Sequence, residues 1–118
     1  MSGRVLITGV GAVTPIGTAA DGLWAGLEAR ASAVRTLTRF DPSPFRSKIA
    51  AEIPDFRPQD FLDAKRARRL DRFSQLAVVA AEEALAQAGW GPEVPYDPLR
   101  VGCVIGRASC RERVYGTV

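Results

Sequence analysis

In residues 64–88 the apolar and small side chains Leu70, Phe73, Ala77, Ala80, Ala81, Ala84, Leu85 and Ala88 recur at steps of three and four. This spacing predicts a single helix with one buried stripe. Gly89 supplies a natural stop just past its end, and Pro92 follows. At 1.5 Å per residue the helix would span roughly 35 Å. Its second half is nearly all apolar or small, apart from Glu82, Glu83 and Gln87. A helix of that composition is expected to be enclosed by a larger body, with its alanines letting another backbone come close.

The other predicted elements are shorter. Val5, Leu6 and Ile7 form an apolar run that reads as a buried strand. Gly9 and Gly11 then allow a tight turn or a close approach to another element. Thr18 and Asp21 have the spacing of a capping box, ahead of a short helix with Leu23, Trp24 and Leu27 as its stripe. Gly22 and Gly26 weaken that helix by up to about 1 kcal/mol each relative to Ala. Pro42 and Pro44 mark a turn-rich loop at 40–45. Residues 47–53 read as extended, and 55–60 lead into the long helix with Pro58 suited to a first turn. Residues 96–99 read as a loop and 101–105 as a second buried strand, which holds Cys103. Trp24 and Phe73 are expected in the core. Strands and helices in this order indicate an α/β fold with a mixed or parallel sheet.

Composition narrows the function. With 47% hydrophobic and 25% charged residues, the 118-residue chain suits one soluble globular unit. No apolar stretch approaches the roughly 20 residues of a membrane span, and the N-terminus does not read as a secretory signal. A cytoplasmic location without a membrane partner is expected. The two cysteines, Cys103 and Cys110, are expected as reduced thiols. The chain has no histidine, which excludes a Ser-His or Cys-His nucleophile pair within it and removes the commonest zinc ligand. No metal site is expected. Gly9 and Gly11 do not complete a dinucleotide-binding turn, because the third glycine of that pattern falls at Thr14. Close packing is expected there, and no cofactor.

Lys65, Arg66, Arg68, Arg69 and Arg72 gather at the start of the long helix. A solvated helical face accounts for such a run. Cations at a helix N-terminus are nonetheless opposed by the dipole, by about 0.3 kcal/mol or more, which invites a second reason for their presence. No aromatics are interleaved with them and no nucleic-acid motif accompanies them, which argues against nucleic acid as a partner. Asp71 reads as an internal partner of these arginines.

Six blocks occur in order: Val5-Leu-Ile-Thr-Gly-Val-Gly11, Thr14-Pro-Ile-Gly17, Phe40-Asp-Pro42, Ala50-Ala-Glu-Ile53, Arg68-Arg-Leu-Asp-Arg-Phe73, and Arg100-Val-Gly102 with Ile105-Gly106. Together, from about residue 4 to 106, they resemble the N-terminal part of the β-ketoacyl-acyl-carrier-protein synthases, most closely the elongating type II members. The resemblance implies the thiolase-like layered α/β fold, incomplete in this chain, and a homodimer. It implies a decarboxylative Claisen condensation in fatty acid biosynthesis, through a Cys thiolate, two histidines and an oxyanion hole. The family's Cys lies in an Ala-Cys-Ser setting beyond position 118, with its histidines further on. No catalytic residue is therefore assigned here, and the fragment itself is expected to be inactive. Cys103 reads as structural, and Cys110 is flanked by Ser109 and Arg111. The family's partner is the acidic acyl carrier protein, which carries the acyl and malonyl groups on phosphopantetheine. By resemblance, Lys65, Arg68 and Arg69 are the positions expected to bind it.

After Gly106 the resemblance ends. The family continues with small residues and glycines, whereas residues 105–115 read as one translation frame of a common sequencing-library adapter. Residues 107–118 are expected to be a non-native tail, and residues 1–106 the N-terminal part of the synthase N-terminal domain. Arg107, Arg111 and Arg113 against Glu112 supply two of the three net positive charges, so the overall charge says little about partners. Two other readings suit the same residues. One is a non-catalytic module that binds carrier protein or mediates dimerisation. The other is a ketosynthase of a type II polyketide system, which Phe40-Asp-Pro-Ser-Pro-Phe-Arg46 also fits.

Overall fold

A computed structural model describes residues 3–53, 55–91 and 97–106. The expected tail at 107–118, with Cys110, and Pro92 lie outside the described residues. The 25-residue helical pattern is realised as two helices, α2 (Ala64–Arg69) and α3 (Arg72–Gln87). The chain is extended at the junction: Leu70 has φ −99° and ψ 136°, and Asp71 has φ −64° and ψ 157°. Asp71 is the N-cap residue of α3. Its side chain makes no capping bond, and among the described residues the ion pair of the basic cluster is Arg66 with Glu82, which corrects the reading of Asp71 as the partner of its arginines. Downstream the expected stop holds. Gly89 takes φ 76°, its N–H donates to Ala86 O at 3.0 Å, and Trp90 N–H donates to Leu85 O at 2.9 Å. This pair of bonds is the Schellman ending that glycine favours.

The inner face of α3 is only partly the apolar stripe. Arg72, Gln75, Val79, Glu83 and Gln87 share one side of the helix by their spacing. Val79 and Gln75 are its buried residues. Phe73, Ala77, Ala81 and Leu85 form the exposed side, with Phe73 56% and Leu85 44% accessible. The helical period is as predicted, and the Ala80 and Ala84 edge of the stripe does meet another backbone, at Gly11 and Gly9, but the most buried positions, Gln75 and Val79, lie outside the stripe. The physical reason lies in the neighbours. They are irregular backbone, and their N–H and C=O groups need polar partners that an apolar stripe lacks.

The segment before the first strand runs along α3. Gln87 Oε1 accepts from Val10 N–H at 2.7 Å, and Glu83 Oε2 accepts from Ala12 N–H at 3.3 Å. A methyl group at Gly9 would collide with Ala84 O, and one at Gly11 with Ala80 O. Glycine here serves backbone-to-backbone approach, as the sequence predicts. The alanines opposite leave room for it.

A two-residue turn at Pro15 and Ile16 joins β1 (Val13–Thr14) to β2 (Gly17–Thr18), which pair antiparallel. Thr14 Oγ1 donates to Gly17 O at 2.7 Å across the turn. Helix α1 (Ala19–Glu28) packs on this hairpin. Thr18 is its N-cap by position, but makes no side-chain capping bond, so the capping box is not formed. Gly26 is the buried residue of α1, set against Ile16, while Trp24 and Leu27 are 63% and 54% exposed. The glycine expected to weaken the helix is what lets it touch the hairpin. The predicted stripe and core position of Trp24 are corrected accordingly.

Strands β3 (Val34–Thr36) and β4 (Ile49–Ala51) form a second antiparallel pair, with Arg35 opposite Ala50. In the loop between them Phe45 N–H donates to Pro42 O at 3.0 Å, and the Phe40 and Phe45 rings meet edge to face at 5.6 Å. Glu52 closes the base: its carboxylate accepts from Thr38 N–H, Thr38 Oγ1 and Arg39 N–H at 3.0, 2.9 and 3.2 Å. Desolvation works to raise this carboxyl, but those bonds and the Arg39 charge outweigh it and hold it below the ordinary glutamate range.

The core consists of Phe56, Leu62, Ala67 and Val79, with Val13, Ile53, Leu70, Leu76 and Val78 packed around it. It joins the 53–70 segment to α3. The expected strands at 5–7 and 101–105 are not strands among the described residues. Val5, Leu6 and Ile7 are 96%, 76% and 86% exposed, and Val104 and Ile105 are 98% and 84% exposed. Cys103 is an exposed free thiol rather than a buried one. A strand needs a neighbour to satisfy its ladder, and no described strand pairs with either run. The described sheets are two antiparallel pairs, not the mixed or parallel sheet expected. Helices and small sheets together remain consistent with the α/β class.

Two predictions follow from these contacts. Gly11→Ala should cost about 2 kcal/mol or more through its clash with the Ala80 carbonyl, whereas Gly91→Ala, which meets nothing within 4 Å, should stay within about 0.5 kcal/mol of the parent in urea unfolding. Because the folded-state pKa of Glu52 is depressed, its contribution is complete above the ordinary glutamate range. It is lost as pH falls through the lower folded value. Stability should thus hold down to about pH 5 and decline below it, and Glu52→Gln should flatten that decline in acid titrations followed by circular dichroism.

Candidate functional site

Helix α2 has six residues, too few to persist by propensity alone. Its start is fixed by Asp63, whose Oδ1 accepts from Lys65 N–H at 3.0 Å and Arg66 N–H at 2.9 Å. Its Ala67 faces Phe56, Leu62 and Val79 in the core. Lys65, Arg66, Arg68 and Arg69 are exposed around that anchor.

The five cations of the sequence cluster divide into three roles. Arg72 turns inward: its two terminal nitrogens donate to Ile53 O at 2.7 Å and Phe56 O at 3.1 Å, and the guanidinium carbon lies 5.0 Å from the Phe56 ring centroid. Burial and then the charge of Arg39 push its pKa down from the usual arginine value, and it remains a cation. Arg66 reaches across to Glu82 of α3 at 3.5 Å. With both side chains about half exposed, that pair is screened and contributes roughly 0–1 kcal/mol. Lys65, Arg68 and Arg69 stay at the surface, and among the described residues none of them lies within 4.0 Å of a carboxylate. Arg68 Nε donates to Ala64 O at 3.1 Å, which lays its stem along the helix.

The break at Leu70 changes the electrostatics of this patch. On one long helix these cations would sit at the N-terminus, against the dipole. On α2 the residues Arg66, Arg68 and Arg69 occupy the last turn, where positive charge is favoured. The Asp63 cap was missed from the sequence, where an Asp just ahead of the first helical residue, Ala64, is the signal for it. The Glu82 partner and the inward turn of Arg72 leave no such signal, because they link segments 16 to 19 positions apart.

Beside the patch, a hollow of about 420 Å³ is lined by Thr38, Arg39, Glu52 and Arg72. It offers charge and hydrogen bonds, and its hydroxyl–carboxylate pair, Thr38 Oγ1 donating to Glu52 at 2.9 Å, belongs to the contact that closes the base of the β3–β4 loop. Among the described residues there is no group of three side chains able to hold a metal, and no helix long and apolar enough to cross a membrane.

The profile of the family described as Beta-ketoacyl synthase, N-terminal domain, matches residues 2–116. The chain belongs to the β-ketoacyl synthase family. This β-ketoacyl synthase chain is 43% identical over 103 residues to 3-oxoacyl-[acyl-carrier-protein] synthase 2 of Coxiella burnetii, covering 87% of the chain and 25% of that relative. It is 45% identical over 106 residues to the oxytetracycline polyketide putative beta-ketoacyl synthase 1 of Streptomyces rimosus, covering 89% and 24%. Among solved structures it resembles the ishigamide ketosynthase/chain length factor, with a TM-score of 0.68 and 39% identity over 75% of this chain and 22% of that one. The chain thus spans about a quarter of the length of the curated relatives it matches.

Removing the cap tests how the synthase chain builds its basic helix. Asp63→Ala should destabilise by about 1 kcal/mol, with the loss of amide-exchange protection concentrated at Lys65 and Arg66 rather than in α3.

Proposed function

We propose that the chain is a scaffold and docking portion of a condensing enzyme that extends acyl chains held on a carrier protein. The family membership and the exposed cations of α2 support this reading. In the reaction, a cysteine thiolate attacks the acyl thioester on the carrier protein, its acyl–sulfur bond breaks, the phosphopantetheine thiolate leaves, and the acyl group is held as a thioester of the cysteine. The carbon–carboxylate bond of a malonyl thioester breaks and carbon dioxide leaves. The electron pair left behind attacks the acyl carbonyl carbon, a carbon–carbon bond forms, and the thiolate departs. Developing oxyanion charge is met by preorganised donors. None of these groups is assigned to the 118 residues. Cys103 has no histidine with which to pair, and it stands exposed on irregular backbone.

The role assigned to this portion is twofold. It packs into the thiolase-like layered fold of a homodimer, for which the exposed apolar runs at 5–7 and 104–105 and the outer face of α3 are the surfaces still to be covered. It also presents Lys65, Arg68 and Arg69 to the acidic carrier protein. Rim cations of this kind speed association and act most strongly at low salt. Fatty-acid elongation is the pathway proposed, in the cytoplasm. A second reading, aromatic or related polyketide assembly, is favoured by the oxytetracycline relative, 45% identical beside 43% for the Coxiella synthase, and by the ishigamide neighbour at 39%. The two share the chemistry and the docking logic.

Reversing Lys65, Arg68 and Arg69 to Glu should weaken binding of acyl carrier protein at least about tenfold at low salt and flatten its salt dependence, measured by calorimetry. The parent chain should release no carbon dioxide from malonyl-carrier protein. Unchanged affinity in the triple variant rejects the docking assignment, and carbon dioxide release by the 118 residues alone rejects the scaffold assignment.

A further inference from the structure

The direction in which the α2 cations point is set from a different helix. Gln75 is 9% exposed and is the one buried polar or charged residue among those described. Its Nε2 donates to Ala67 O at 2.7 Å and to Leu70 O at 3.1 Å. Both amide protons are used, and both acceptors lie at the broken end of α2, where Leu70 is the C-cap. In an unbroken helix those carbonyls would accept from the backbone N–H groups of Asp71 and Ser74. The extended backbone at 70–71 removes both donors, and one side chain replaces them. Left unpaired, buried carbonyls of this kind are costly.

Three contacts hold this six-residue helix. The Asp63 carboxylate fixes its start, and Ala67 fixes which side meets the core. The Gln75 amide fixes the end from which Arg68 and Arg69 project. Arg72, one turn earlier on α3, bridges a different segment through Ile53 and Phe56, so it does not duplicate Gln75.

We propose that Gln75 is a positioning residue for carrier-protein docking: its side-chain amide replaces the two hydrogen bonds lost at the helix break and thereby holds the basic face of α2 in its binding orientation. This rests on Lys65, Arg68 and Arg69 being the docking residues. Holding the helix in advance spares the complex the entropy of ordering it, so the effect on affinity arises without contact to the partner.

The test uses the full 118-residue chain with Gln75→Leu, which keeps bulk and removes the donors, and Gln75→Glu, which has no proton to donate when ionised. Amide exchange at Ala67, Arg68 and Arg69 should lose about tenfold protection in Gln75→Leu, while residues 79–86 change by less than about threefold. Affinity for acyl carrier protein at low salt should fall about fivefold with the salt dependence retained, because the three surface cations are intact. Charge reversal, by contrast, changes that dependence. In Gln75→Glu, lowering the pH to about 5 protonates a carboxyl raised by its two carbonyl neighbours and restores one donor. Its α2 protection should recover, and that of Gln75→Leu should not. Undiminished α2 protection in Gln75→Leu, a loss spread evenly through α3, or unaltered affinity overturns the proposal. If the parent chain fails to bind carrier protein, the docking reading and the docking role of Gln75 both fall, and the exchange data decide separately whether the amide holds α2.

Discussion

Irregular backbone has to find hydrogen-bond partners, and in this chain α3 provides them. Arg72 and Gln75 donate to carbonyls on the two sides of the 53–70 segment, and Glu83 and Gln87 accept from the N–H groups of residues 10–12. Val79, buried at the centre of the same face, supplies the apolar contact between the two polar ends. A buried peptide group without a partner costs more than a typical hydrogen bond gains. This explains why Arg72 and Gln75 are drawn inward, while Ala80 and Ala84 meet the glycine backbone and the Phe73, Ala77, Ala81 and Leu85 side is left outside.

The same requirement shapes the basic surface. Splitting the helical pattern at Leu70 strands two carbonyls, recruits Gln75, and moves three arginines from the opening of a long helix to the closing turn of a short one. The dipole then favours them. Arg72, one turn into the cluster, is spent on Ile53 and Phe56 and is lost to the surface. What remains at the surface is Lys65, Arg68 and Arg69, on a helix with side-chain hydrogen bonds at both ends.

Much of this was legible in the residues. The glycines at 9 and 11 announced a close backbone approach, and Gly89 announced the helix end, because only local geometry was needed to infer either. The surface positions of Lys65, Arg68 and Arg69 followed from charge. Gly26 was misjudged: propensity counted it as a weakness, whereas its missing side chain is what admits the β1–β2 hairpin. Hydrophobicity predicts burial for Trp24 and for the runs at 5–7 and 101–105. That measure records a side chain's preference for cover, not whether cover is present.

By itself, then, the order of amino acids determined family membership, the helical period of residues 64–88, and which residue types would sit at glycine-dependent contacts and on the charged surface. The period and the charged surface depend on neighbours within a few positions along the chain, and membership on short blocks whose order runs almost its whole length. Only the tertiary structure decided where the long helix divides, which of its faces turns inward, and which arginine leaves the cluster. A period states which side chains share a side, but the choice of side rests on the unpaired peptide groups of segments up to 77 residues away.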